Sequence, residues 1–246
     1  MKYDGLTPEE VAQRLDTRSC LVLERVSSTQ DLLHELAGEG APAGTVVLAN
    51  EQVHGRGRQT RPWVSGPGKG VLVSYLFRPE ESRTLAVMSL RVGLAVLGAF
   101  DEIGVDAMLK WPNDVMIAGR KVAGILCEAR WQTRELQWVV AGIGINVFSP
   151  IPGSLRNEAI ALDQVTRNIE RLDVLRHLIR RLHHLPDSEA LTQEESHTLR
   201  THDWLVNREI ARPVEGTARG VARNGALMVE TSSGTVNVFG GEVVVA

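Results

Sequence analysis

The stretch Gly55-Arg56-Gly57-Arg58-Gln59-Thr60-Arg61-Pro62-Trp63 mounts guanidinium groups on a backbone that glycine leaves free to approach a ligand closely. Guanidinium groups clamp carboxylates and phosphates through charge-assisted, often bidentate, hydrogen bonds. From Gln52 through Pro79 there is no Asp or Glu, whereas Arg56, Arg58, Arg61, Lys69 and Arg78 are basic. The run therefore suits an anionic small molecule. Trp63 offers a ring face to an adenine or an apolar ligand. A solvated basic loop has the same composition. So does an RNA-binding segment, in which arginine–glycine runs with aromatics grip single strands. One copy inside an α/β pattern speaks against the RNA reading. Gly66-Pro67-Gly68-Lys69-Gly70 is not a phosphate loop, because Gly70 stands where a Ser or Thr would hold Mg²⁺.

Three further motifs follow. They are Lys110-Trp111-Pro112-Asn113-Asp114, Gly119-Arg120-Lys121-Val122-Ala123-Gly124-Ile125-Leu126 and Gly142-Ile143-Gly144-Ile145-Asn146-Val147. The last is not a dinucleotide fingerprint: the third glycine is missing and no helix pattern follows. Singly, each has a plain structural reading. Lys121 suits an exposed hairpin, Asp114 suits a turn cap after Pro112-Asn113, and glycines in strands suit bulges or close packing.

These residues need elements to position them. Thr7-Pro8-Glu9-Glu10 predicts a helix start with a capping box. Cys20 to Val26 reads as a strand. Ser27-Ser28-Thr29-Gln30 opens a helix through about Ala37, with Leu32, Leu33 and Leu36 on one face. Thr45–Ala49 and Val71–Phe77 read as strands, and the polar stretch from Glu51 to Gly70 between them as a loop. Leu85 to Ile103 reads as a buried helix. Met108–Trp111, Val115–Ala118, Val122–Ala129 and Leu136–Ile145 read as strands, with a hairpin turn at Ala118-Gly119-Arg120-Lys121. From about Ser154 to Val206 the pattern turns helical, Leu172, Leu175, Leu178, Ile179 and Leu182 falling at helical spacing. Beyond Asn207 short strands return, with Asn224-Gly225 and Ser233-Gly234 as hairpin signals.

The chain has 246 residues, 43% hydrophobic and 23% charged, which is ordinary for a globular protein. A net charge of −3 supplies no global basic field for nucleic acid or a membrane surface. Cys20 and Cys127 lie outside any CxxC pattern and are compatible with a reducing, cytoplasmic setting. The polar N-terminus lacks the apolar region of a signal peptide. No apolar run approaches the ~20 residues that span a bilayer.

In order and spacing, the motifs together resemble the biotin–protein ligase family. The resemblance rests on Ser27-Ser28-Thr29, Gln52 ahead of the GRGR run, Trp63, KWPND, GRKVAGIL and GIGIN. It continues into Gly225-Ala226-Leu227 and Gly240-Gly241-Glu242. It implies an α/β (α+β) catalytic domain of class II synthetase type, a mixed sheet flanked by helices, over residues 1–200. A small C-terminal SH3-like β-barrel would occupy residues 201–246. The implied activity joins the biotin carboxylate to ATP as biotinyl-5′-AMP, then passes biotin to a lysine of a biotin carboxyl carrier protein, as in acetyl-CoA carboxylase or another biotin-dependent carboxylase. Mg²⁺ would accompany ATP. A homodimer is compatible with the resemblance.

The resemblance also assigns residues. Ser28, Thr29 and Gln52, with backbone groups around Gly55 and Arg56, would meet the ureido ring. Ser28 also suits a helix cap, and the two roles are compatible. Gly124, Gly142 and Gly144 would wall the pocket. Lys121 would bridge the biotin carboxylate and the α-phosphate. Arg56, Arg58 and Arg61 would neutralise phosphates and order the loop over the adenylate, with Trp63 beside it. Asp114 is the candidate to help deprotonate the carrier lysine, and Asn146 would serve the nucleotide or metal side. Lys110 is read as supporting structure or charge balance. One departure stands out. The family often continues Arg-Gly-Arg after GRGR, and this chain has Gln59-Thr60-Arg61.

Two other readings are open at this point. Lipoate–protein ligases share the implied fold but lack the GRGR–Trp loop and the KWPND segment. A nucleic-acid-binding protein would use the basic loop without turning over ATP. Some biotin ligases also carry an N-terminal DNA-binding domain. Only about 26 residues precede Ser27-Ser28 here, against the ~50 a domain needs, so DNA binding is not expected.

Overall fold

The computed structural model describes residues 2–78, 85–155 and 157–246. Helix α1 (Pro8–Arg14) begins as its sequence dictates: Thr7 accepts from the Glu10 amide, Glu10 reaches back to the Thr7 amide, and Pro8 fills the first turn. Strand β1 (Cys20–Val26) leads into α2 (Thr29–Gly38), capped by the Ser28 hydroxyl. Strand β2 (Val46–Gln52) pairs parallel with β1 as far as Gln52. It therefore outruns the apolar segment by three polar residues. Strand β3 (Gly70–Phe77) follows the arginine loop, and α3 (Leu85–Asp101) is the long apolar helix.

Strands β4 (Met108–Lys110), β5 (Asp114–Ile117), β6 (Arg120–Gln132) and β7 (Glu135–Asn146) form an antiparallel run. Their sheet has the order β1-β2-β3-β7-β6-β5-β4 and is mixed, with β1 and β2 parallel. The β5–β6 turn is tighter than its sequence suggests. Only Ala118 and Gly119 lie outside the strands, both at positive φ (48° and 76°), so Arg120 and Lys121 already belong to β6. Two left-handed residues match the twist of a two-residue hairpin.

Alternation along the strands sorts the two faces. Val46 and Leu48 of β2, with Val139, Ala141, Ile143 and Ile145 of β7, enter the main core with α3 and α4 (Arg171–Leu182). Val47, Leu76 and Val140 face the other way, onto Leu33 and Ala37 of α2. Gly142 and Gly144 share that second face with Val140. The helices thus cover one face fully, and on the other α2 leaves the glycine-bearing end of β6 and β7 open.

Residues 154, 155 and 157–170 depart from the helical reading. Among the described residues here, α-helix starts at Arg171, after two short 3₁₀ turns, Gly153–Leu155 and Leu162–Gln164. The physical reason is backbone pairing. The Lys121 amide donates to Glu158 O at 2.8 Å, and Lys121 O accepts from the Ile160 amide at 2.9 Å. A helix would consume those groups internally. Helix α5 (Gln193–His202) then leads to β8 (Glu209–Arg212), β9 (Gly216–Val221), β10 (Leu227–Thr231), β11 (Gly234–Val238) and β12 (Val244–Val245). They form a second, five-stranded antiparallel sheet of order β11-β10-β9-β8-β12. The two sheets are joined by side chains. Trp111, 2% exposed, donates its indole N–H to Gly225 O at 2.9 Å. No described helix is long and apolar enough to cross a membrane.

Candidate active site

The open face carries a cleft of about 550 Å³ between the arginine loop, the KWPND segment and the C-terminal sheet. Its floor is polar at the α2 end. Ser28 and Thr29 are buried at the helix N-terminus. The Thr29 amide and hydroxyl both donate to the Gln52 carboxamide oxygen, at 2.8 and 2.9 Å. With its one hydrogen so used, the Thr29 oxygen accepts from Ser74, 2.9 Å away. Gln52 is thereby fixed with its NH₂ group left as a donor. The parallel end of β2, beyond its apolar segment, is what brings Gln52 here.

Beyond lies the glycine floor. A Cβ at Gly142 would fall 2.5 Å from the Gln30 carboxamide oxygen. One at Gly144 would overlap the Trp63 indole, and one at Gly124 would press on Trp63 and on the end of Lys121 at 3.0 Å. These three glycines are bare so that side chains from other segments can lie on the sheet. Trp63 lies flat in the cleft, and its indole N–H has no partner among the described residues.

At the edge of this floor Lys121 points to Asp114, Nζ to Oδ1 at 2.6 Å, with Nζ also 5.6 Å from the centroid of Trp63. Both side chains are half-buried. The Asp114 carboxylate is thus engaged by a cation across the β5–β6 hairpin. Asn146, at the end of β7, lines the same cleft.

The loop is more ordered than its composition suggests. Trp63 N donates to Gly55 O at 2.8 Å, Gly57 N to Arg61 O at 2.8 Å, and Arg56 pairs with Pro62 in a short antiparallel bridge. Gly55 has no room for a side chain, since its Cβ would meet Trp63 O at 2.5 Å. Gln59 and Thr60 form the tip, at φ 54° and 61°. The left-handed region is costly for a β-branched residue, so the departure from glycine at position 60 falls where glycine would fit best. The three arginines go to three places. Arg58 donates to the Asn113 carboxamide at 3.2 Å, and Arg61 pairs at 2.7 Å with Glu242, in the segment between β11 and β12. Arg56 turns to two carboxylates, Asp31 at 2.8 Å and Glu128 at 2.6 Å.

Comparison with known proteins agrees with this arrangement. Residues 22–146 match the Biotin/lipoate A/B protein ligase family, and residues 206–245 match the Biotin protein ligase C terminal domain. The Bifunctional ligase/repressor BirA of Bacillus subtilis is 32% identical over 254 residues, covering 97% of this chain and 76% of that protein. The chain belongs to the biotin/lipoate A/B protein ligase family. A second relative of this ligase is the biotin–[acetyl-CoA-carboxylase] ligase of Mycobacterium tuberculosis, 31% identical over 91% of this chain and 87% of that protein. The ligase also superposes on the biotin protein ligase from Aquifex aeolicus in complex with biotin and ATP. That match has a TM-score of 0.78 at 28% identity and covers 93% of this chain and 99% of the other.

The cleft of the ligase gathers Ser28, Thr29, Gln52, Arg56, Arg58, Arg61, Trp63, Asp114, Lys121, Gly124, Gly142, Gly144 and Asn146, and Gly55 supports it from behind Trp63. Sequence reasoning missed several lining residues. Gln30 is buried beside Gly142 and donates to Leu126 O at 3.1 Å. Asn113 bridges Arg58 and Ile125 O. Trp204 lies under Lys110, whose Nζ sits 5.0 Å from the ring centroid, and Glu242 holds Arg61. Ile151, Pro152, Leu155, Asn157, Glu158 and Ala159 also line the cleft. KWPND and the Gly240-Gly241-Glu242 motif flagged two of these sites. Nothing local marks Gln30 or Trp204.

Proposed function

We propose that this ligase activates the carboxylate of biotin with ATP and transfers the biotinyl group to a lysine of a biotin carboxyl carrier protein. The observation that carries the reading is the position of Lys121. It stands between the glycine-floored end of the cleft and the KWPND segment, within reach of Trp63 and Asp114. In this reading the ureido ring meets Ser28, Thr29 and the free NH₂ of Gln52, and the valeryl tail runs along Trp63, which itself covers Gly144 and Gly124. That directs the carboxylate to Lys121.

The first step brings two anions together. A carboxylate oxygen attacks the α-phosphorus, the bond to the bridging oxygen breaks, and pyrophosphate leaves. Positive charge aimed at the reacting phosphoryl group is the main requirement. Lys121 supplies it at the centre and Arg58 supplies it from the loop, while Arg61 is held by Glu242. Bound Mg²⁺ would neutralise phosphate oxygens. It would come largely coordinated by those oxygens and water, and Asp114 and Asn146 are among the cleft's oxygen donors for its water shell. Closure of the loop would keep water from the adenylate.

In the second step the carrier amine attacks the acyl carbon, the acyl–oxygen bond breaks, and AMP leaves. The amine must shed a proton, and Asp114 is the carboxylate positioned to take it once Lys121 turns to the phosphate. We assign this chemistry to residues 1–200, with residues 201–246 bracing the loop through Glu242. The reading implies work in the cytoplasm, where ATP and the carrier meet. Incubation with ATP, Mg²⁺, labelled biotin and a carrier domain tests it: label is expected on the carrier lysine. Labelling by lipoate in place of biotin would transfer the reading to the other substrate of the family. Salt-sensitive RNA binding without ATP turnover would overturn it.

A further inference from the structure

We infer that Glu128 and His34 form a positioning device that sets the arginine loop by holding Arg56. This deepens the proposed function and rests on it for its kinetic consequence alone.

Arg56 faces Glu128 in a two-pronged pair, Nη1 to Oε1 at 3.1 Å and Nη2 to Oε2 at 2.6 Å, and its Nη2 also meets Asp31. Two carboxylates against one guanidinium leave no unbalanced positive charge there for a phosphate. Arg56 acts as an anchor, unlike Arg58, which meets the neutral Asn113 carboxamide. A half-exposed ion pair by itself stabilises little, but planar bidentate geometry within a network adds to it.

Glu128 is in turn fixed from behind. Its Oε2 lies 3.4 Å from His34 Nε2, and His34 Nδ1 lies 3.0 Å from the Trp138 indole nitrogen. An indole N–H only donates, so His34 Nδ1 accepts. The ring proton of neutral His34 therefore sits on Nε2, facing Glu128. The hydrogen bond from His34 and the contact with Arg56 hold the Glu128 carboxyl below the usual carboxylate range, against the opposing effect of burial. Trp138 is itself braced by Arg78, whose guanidinium lies 5.5 Å from the ring centroid and binds Ala37 O and Ala41 O at the end of α2.

The device thus sets Asp31 of α2 and Glu128 of β6 on the first arginine of the loop, with His34 of α2 and Trp138 of β7 behind Glu128. Arg56 sits beside Gly55, whose carbonyl closes the loop onto Trp63, and opposite Pro62 in the bridge. Releasing Arg56 frees the root of the loop and, with it, the tryptophan lying on the glycine floor.

Limited trypsin digestion without ligands tests the structural half. Cleavage after Arg58 is expected to rise about tenfold in Glu128→Gln, as for loss of one charge-assisted hydrogen-bond pair, with sites outside the loop unchanged. His34→Leu is expected to act in the same direction and serves if Glu128→Gln does not fold. In an Arg56→Ala background, Glu128→Gln is expected to add nothing. In pyrophosphate exchange, Glu128→Gln is expected to raise the KM for biotin about tenfold while kcat changes little. Unchanged cleavage after Arg58 in both single variants, or additive effects with Arg56→Ala, would overturn the inference. Absence of exchange in the unaltered protein would instead count against the ligase reading and leave the digestion result standing.

Discussion

Lys121 and Asp114 are paired at 2.6 Å across the β5–β6 hairpin, each taking the charge the other would present to substrate. In the proposed reaction the two part in sequence. Lys121 turns to the phosphate in the first step, and that releases Asp114 for the second. The pair therefore makes separable predictions for the two half-reactions.

Lys121→Ala is expected to slow adenylation by roughly 10²–10³-fold, the loss of one electrostatic stabiliser worth about 2.7–4 kcal/mol. ATP–pyrophosphate exchange measures it. Lys121→Arg should recover little, because a planar fork does not replace a point charge set between Trp63 and Asp114. Normal formation of biotinyl-adenylate by Lys121→Ala would remove Lys121 from the mechanism.

Asp114→Asn is expected to spare adenylation and to slow transfer from preformed adenylate to the carrier by about 10²-fold, within the usual range for a lost general base. The deficit should shrink as pH rises. A lysine with a pKa near ~10.4 is mostly protonated at neutral pH and deprotonates unaided as pH approaches that value. Single-turnover transfer at several pH values reads this out. A deficit independent of pH would reduce Asp114 to holding Lys121.

Much of the fold was legible because its signals are local. The Thr7–Glu10 capping box, the Ser28 cap and the apolar runs of β1, β3 and β7 each sit within a few residues of what they determine. What escaped depends on contacts distant in sequence. Gln30 matters because β7 places Gly142 against it, 112 residues away, and Glu128 because the loop returns Arg56 to it. The segment after Gly153 is not helical because its backbone pairs with Lys121, a demand imposed by the neighbouring strand. The motif glycines were visible as motifs. That they leave room for Trp63 and Gln30 was visible only in three dimensions.

Arg58 ties the loop to the KWPND segment through Asn113, Nη1 to Oδ1 at 3.2 Å. Arg58→Gly is expected to release biotinyl-adenylate about tenfold faster, the equivalent of about 1.4 kcal/mol, while exchange falls less. Asn113→Ala should reproduce part of that release, since it removes the partner but leaves the charge. Filter-trapping of labelled adenylate over time measures both. An Arg58→Gly variant that releases adenylate at the unaltered rate would exclude the loop as a lid.

Asp203, between α5 and the second sheet, is 3% exposed. Its Oδ1 accepts from the Leu205 amide at 2.8 Å, and its Oδ2 has no partner among the described residues. Burial pushes the carboxyl up from 3.8 to about 6, against two backbone hydrogen bonds that lower it. The folded state therefore favours the protonated form. Below about pH 4 the group is neutral in both states and carries no penalty. Between about pH 4 and 6 the unfolded chain ionises first, so stability falls as pH rises, and above about 6 the whole penalty is present. A shift of about two units corresponds to roughly 3 kcal/mol as an upper bound. Asp203→Asn keeps the acceptor for Leu205 and abolishes the charge. It is expected to stabilise the protein at pH 8 and to change little near pH 4, as read by urea unfolding at both values. Equal shifts at the two pH values would show that Asp203 acts through packing alone and not through its buried charge.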